Sequence, residues 1–112
     1  MLFRSRLELA KLTCARNEFA DALRAEGVAC AAGYIPVPLY KLPVFARHAF
    51  FAGRWPIKEL RLTEMDYERV ACPEAEAMLA TGINCTLNES MDDALIDETA
   101  LAVRKVARHY AR

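Results

Sequence analysis

A chain of 112 residues in which fifteen basic and fifteen acidic side chains cancel, and of which 54% is apolar, has the material for one core but not for two. The apolar share excludes the disordered class, and the absence of a basic excess argues against a nucleic-acid partner held through its phosphates. No stretch approaches the roughly 20 apolar residues that a membrane helix needs, so no membrane partner is expected.

Met1-Leu2-Phe3-Arg4-Ser5-Arg6 lacks the apolar run of a signal peptide. Cys14, Cys30, Cys72 and Cys85 are widely spaced and form no CxxC pair, which fits reduced thiols in a cytoplasmic protein. A zinc site drawn from these four with His48 and His109 would lack the closely spaced ligand pairs such sites use, and no metal is expected.

Phe3 to Leu9 alternates, with Phe3, Leu7 and Leu9 on one side and Arg4, Arg6 and Glu8 on the other, as in a half-buried strand. Thr13 is placed to cap a helix over Ala15 to Glu26, whose stripe is Phe19, Ala22, Leu23 and Glu26. Gly27 then stands where a helix stops on a left-handed residue. Val28 to Ala32 reads as a second strand running back beside the first.

Between Tyr34 and Pro43 there are three prolines, which remove ladder donors and fix φ, so the segment is expected to be extended and at the surface. Its two tyrosines make it a candidate for ligand or partner contact. Val44 to Ala52 reads as a short helix, and Gly53 to Glu64 as a loop anchored by Trp55-Pro56. Pro73 opens a helix whose Glu74 and Glu76 suit its positive end, and which closes near Thr81-Gly82. Ile83 to Leu87 is a third strand. Ser90-Met91-Asp92-Asp93 resembles a capping box, and the last helix carries the stripe Leu95, Thr99, Ala102, Val103, Val106 and Tyr110. Acids crowd its first half and bases its second, as the helix dipole prefers. The expected fold is one α+β domain over residues 1–112, a two-layer sandwich with a small, mainly antiparallel sheet and helices mostly on one face.

The chemistry-bearing residues are few. Two histidines, no GxSxG, no HExxH and four glycines in all leave no self-contained catalytic constellation or phosphate cradle. His109 suits the negative end of its helix. None of Lys11, Lys41, Lys58 and Lys105 lies in an apolar stretch that would prepare it for Schiff-base work; Lys41, beside Tyr40, is the lysine placed for ligand contact.

Four segments, in order along the chain, carry a resemblance: Ala15-Arg16-Asn17-Glu18-Phe19 with Leu23-Arg24-Ala25-Glu26-Gly27-Val28; Gly33-Tyr34-Ile35-Pro36-Val37-Pro38-Leu39-Tyr40 with Leu42-Pro43; Cys72-Pro73-Glu74-Ala75-Glu76; and the closing stretch from Asp92 through Val103-Arg104-Lys105-Val106-Ala107 to Tyr110. Together they resemble the C-terminal small domain of the DegT/DnrJ/StrS family of pyridoxal-phosphate-dependent sugar aminotransferases. The chain departs from many members where it has Thr86-Leu87-Asn88-Glu89 in place of a Leu-Pro pair.

The resemblance implies one wall of an active-site cleft acting on a keto-sugar nucleotide or cyclitol. In that family the Schiff-base lysine, the aspartate facing the pyridine nitrogen and most of the phosphate cup belong to a large domain. The chain alone is therefore not expected to bind pyridoxal phosphate or to be active. Its implied partners are that large domain or a second copy in a homo-oligomer. The resemblance places Tyr34, Pro38, Tyr40 and Lys41 in the substrate wall; as packing groups on a proline-stiffened loop, the same residues fit a non-catalytic α+β module that dimerises or binds a metabolite.

Overall fold

The computed structural model describes residues 2–49, 60–61 and 64–112, with side chains from Ser5 onward. Its elements are β1 (Leu2–Arg6), α1 (Arg16–Ala25), β2 (Cys30–Ala32), α2 (Pro43–Ala46), α3 (Pro73–Thr81), β3 (Gly82–Thr86) and α4 (Asp93–Tyr110). Single 3-10 turns lie at Leu9–Lys11, Leu39–Lys41 and Tyr67–Arg69. They assemble into two compact units, one formed by Met1–Tyr34 with Ala80–Arg112 and the other by Ile35–Leu79.

The first unit is an α+β arrangement built on an antiparallel sheet of order β1-β3-β2. β3 pairs antiparallel with both neighbours, Phe3 opposite Cys85 on one side and Cys30 opposite Cys85 on the other. The sequence order suggests that β2 runs back beside β1, but it does neither: both strands are antiparallel to the β3 between them and so run parallel to each other. A helix is about twice as wide as the spacing between strands, so the β1–α1–β2 crossover leaves a gap into which β3 inserts.

Alternation along β3 decides which face is covered. Ile83 and Cys85 are buried, and they meet Phe19, Ala20 and Leu23 of α1, Val28, and Ala102 and Val106 of α4 in one cluster. Both long helices pack on this face. Leu7, Leu12, Cys30 and Tyr110 close its margins, with the Phe19 and Tyr110 rings 6.1 Å apart.

Helix ends explain several boundaries. The α1 stop is a Schellman motif: the Val28 N–H donates to the Leu23 carbonyl and the Gly27 N–H to that of Arg24, with Gly27 at φ +89°. Leu23 and Val28, the two residues this motif brings together, are both core residues. The N-cap of α1 is Ala15, not Thr13, and no side chain caps it. Thr13 serves the other end of the unit, where its N–H and its hydroxyl both donate to the Tyr110 carbonyl at the close of α4. α4 itself starts on Asp92, whose carboxylate accepts the Leu95 N–H at 2.9 Å, while Ser90 bonds to the Asn88 side chain. Of the stripe expected on α4, Ala102 and Val106 are buried, but Leu95 and Val103 remain exposed.

β1 is shorter than its alternating pattern, because after the Leu7 N–H reaches the Thr81 carbonyl the chain turns into the 3-10 segment at Leu9. The proline-rich stretch is not the extended segment its prolines suggest: the chain bends through residues 34–37, then tightens into the turn at Leu39–Lys41 and into α2, which ends at Ala46 before His48 at φ +51°. The helix expected over Val44 to Ala52 thus stops at Ala46, because Arg47, His48 and Ala49 leave the helix; residues 50–52 and the Trp55-Pro56 loop lie outside the described residues. The ring of Tyr67 packs edge-on against Phe45 at 5.9 Å and His48 at 6.3 Å. No helix among the described residues is long and apolar enough to cross a membrane.

Candidate functional site

Pro38, its φ fixed near −56°, caps the 3-10 turn that carries Tyr40 and Lys41, and its carbonyl accepts the Lys41 N–H at 2.9 Å. The turn projects both side chains toward the start of α3. There Pro73 occupies a position in which a missing N–H costs nothing, and the Cys72 carbonyl accepts the Glu76 N–H to begin the helix. The Tyr40 hydroxyl donates to Glu76 Oε1 at 2.5 Å and accepts the Cys72 N–H at 3.0 Å. The other carboxylate oxygen, Glu76 Oε2, holds Lys41 Nζ at 2.7 Å. One carboxylate thus fastens two side chains of the proline loop, and the phenol oxygen satisfies a free amide at a helix start.

This arrangement sets the charge states. Bonds from Lys41 first, then from Tyr40, hold the Glu76 carboxyl below its ordinary range. Its carboxylate in turn raises the Tyr40 phenol by accepting a hydrogen bond from it, and raises the Lys41 ammonium in the same way. The phenol is consequently a poor base and the ammonium a poor nucleophile. The cluster can bind and orient; it does not supply a group ready to exchange protons near neutral pH.

Tyr34 belongs to the first unit and has different neighbours. It is 68% exposed and borders a cavity of about 430 Å³ on the outer face of the sheet, lined also by Arg24, Ala31, Asn84 and Thr86. Gly33 before it takes φ +74°, and a Cβ there would stand 3.5 Å from Arg16 Nη2. The guanidinium that leads α1 therefore lies against the start of the tyrosine-proline segment. Of the four expected wall residues, the structure joins Tyr40 and Lys41, sets Pro38 directly beneath them, and gives Tyr34 a separate setting.

Glu76 and the Cys72 amide are the members that sequence reasoning missed. Glu76 reads from the sequence as a favourable charge at a helix start, and nothing in a 36-residue separation announces its pairing with Tyr40. Burial raises the thiols of Cys14, Cys30 and Cys85, which keeps them from forming thiolates readily, and all four cysteines are free. Among the described residues no three His, Cys, Asp or Glu side chains gather as metal ligands.

Each described lysine is engaged by a carboxylate, Lys11 by Glu8 at 2.6 Å, Lys41 by Glu76 and Lys105 by Glu26 at 2.7 Å, and none of the three is buried. No protein-family model matches the chain, and no curated protein matches its sequence.

Proposed function

We propose that this chain is a small domain of the DegT/DnrJ/StrS aminotransferase type, forming a substrate-facing wall against a large domain that carries pyridoxal phosphate. Its substrate class is then a keto-sugar nucleotide or cyclitol. The observation that carries the reading is the Tyr40–Glu76–Cys72 contact. Two of the segments on which the resemblance rests, the Tyr-x-Pro-x-Pro-Leu-Tyr loop and the Cys-Pro-Glu-Ala-Glu helix start, lie more than thirty residues apart in sequence, yet they are fastened by named hydrogen bonds. Such fixation is what a binding wall requires, because a side chain locked before the ligand arrives loses little freedom on binding.

In this reading the wall's own contributions are the Lys41 ammonium, whose remaining protons suit hydroxyl or phosphate oxygens, and the Tyr40 ring, held at a fixed angle. No step of amino transfer is assigned to this chain's residues. A second reading, a non-catalytic module that self-associates, is favoured by the uncovered apolar flank of α4 (Ile96 49% and Val103 36% exposed).

The test is titration of the purified chain with pyridoxal phosphate, borohydride reduction and intact mass. It is paired with amide NMR on addition of a uridine or thymidine diphosphate sugar. The wall reading expects no stoichiometric adduct and shifts confined to the Pro38–Lys41 turn and the start of α3. One full adduct on a single lysine would overturn it, as would a sugar nucleotide that leaves the turn unmoved.

A further inference from the structure

The apolar sector of α4 is wider than the part that α1 covers. Ala102 and Val106 are buried, but Ile96, Ala100, Val103 and Ala107, spaced four, three and four residues apart, form a second stripe on the neighbouring flank. That stripe roofs a groove of about 550 Å³ whose sheet side is formed by Leu7 and Leu87 and which reaches down to Ile83. The groove opens beside β1, an edge strand with no strand on its outer side among the described residues. A bare edge and an open apolar groove on one side of a small unit are two liabilities that a single contact can remove.

The charges beside the stripe say what fits. Asp97 and Arg104 lie two turns apart along the same margin of the flank, each one residue past a stripe position, and neither forms an ion pair within the chain among the described residues. The helix is acidic toward its start, at Asp93 and Asp97, and basic toward its end, at Arg104 and Arg108. Such a flank repels a parallel copy of itself and matches an antiparallel one. About a two-fold axis near the middle of α4, Ile96 faces Ala107 of the second copy and Ala100 faces its Val103. Asp97 then meets Arg104 of the second copy, and symmetry makes the contact twice. The alanines let the two helices approach closely.

We propose that the α4–β1 groove is a self-docking surface, filled by α4 of a second copy of this chain in antiparallel orientation. The proposal does not depend on the aminotransferase reading, since it uses none of Tyr34, Pro38, Tyr40 or Lys41.

The experiment is sedimentation velocity across a concentration series on the wild type, Arg104→Asp, Asp97→Arg, the double exchange and Ala100→Arg, with far-UV circular dichroism to verify equal helicity. All substituted positions are exposed, so the fold is retained. The wild type is expected to dimerise in the micromolar range. Each single reversal turns two attractions into two repulsions and weakens the dimer by about tenfold or more. The double exchange restores it to within about threefold of wild type, and Ala100→Arg leaves a monomer. A wild type still monomeric at about 1 mM would overturn the proposal and leave the groove to a different protein. A dimer indifferent to Ala100→Arg and to the reversals would overturn it equally, by placing the interface elsewhere.

Discussion

Ile83 is 1% exposed, the most deeply covered of the large side chains in the first unit, and it stands in the central strand beneath both long helices. Replacing it with alanine removes three carbon groups. At about 0.8 kcal/mol each, their transfer alone accounts for about 2.4 kcal/mol. The surroundings are two helices and a three-stranded sheet pinned by backbone bonds, so the space collapses incompletely and the cavity adds to the loss, giving about 3–4 kcal/mol in all. Against a stability of roughly 5–15 kcal/mol for a domain of this size, that is a large fraction. Urea denaturation followed by far-UV circular dichroism reads it as a lower midpoint at unchanged slope. The exposed Thr86, three residues on and facing away from the core, is the control, and Thr86→Ala should cost no more than about 0.5 kcal/mol. Equal and small shifts for the two variants would refute the assignment of the sheet's covered face, and with it the placement of α1 and α4.

Gly27 stands at φ +89° with nothing within 4 Å of an added Cβ, so Gly27→Ala meets no clash and costs only the left-handed strain, about 1–2 kcal/mol by thermal unfolding. Asp92→Ala removes the cap on the Leu95 N–H and should cost about 1 kcal/mol by the same assay. For the Tyr40–Glu76–Lys41 cluster the expected effect is on pH dependence. The folded Glu76 carboxyl lies below its ordinary 4.5, so its contribution is present above that pH and is lost as pH falls through the folded value. Tyr40 and Lys41 lie above their ordinary 10.0 and 10.5, so their contributions are present below those values and are lost as pH rises through the folded ones. Ultraviolet titration of tyrosinate should show the Tyr40 step, identified by its loss in Tyr40→Phe, moving to lower pH in Glu76→Gln; an unmoved step would contradict the hydrogen bond.

What the sequence made legible was local. Gly27 as a helix stop and Pro73 as a helix start each follow from a residue whose backbone has one good use at that spot, whereas the capping-box pattern begins at Ser90 and the cap of the last helix is Asp92, because Ser90 is taken by the Asn88 side chain. The α+β composition followed from periodicity. Strand order did not, because alternation reveals which face of β2 is buried but not which strand lies beside it. Thr13 was misassigned for a related reason. A hydroxyl two residues before a helix is a plausible cap, but the Tyr110 carbonyl, ninety-seven residues away, competes for it and holds it. The candidate site was half legible: Tyr40 and Lys41 stood out on a proline-stiffened turn, while Glu76, which fixes them both, is visible only once α3 has been brought against that turn.

Glu76 also decides what kind of site this is. A tyrosine that is to act as a base must release its proton readily, and a lysine that is to form an imine must be neutral part of the time. A single carboxylate bonded to both works against each of these at once, since it stabilises the protonated phenol and the ammonium together. The same carboxylate spends the one hydroxyl proton of Tyr40, and the Cys72 N–H takes a lone pair, so a ligand meets the ring and whatever remains of that oxygen. Lys41 is different: one contact to Glu76 leaves ammonium protons to offer, and its side chain is 47% exposed. The chemistry that remains is donation to oxygen beside a fixed aromatic surface, which suits a hydroxyl-rich or phosphorylated ligand.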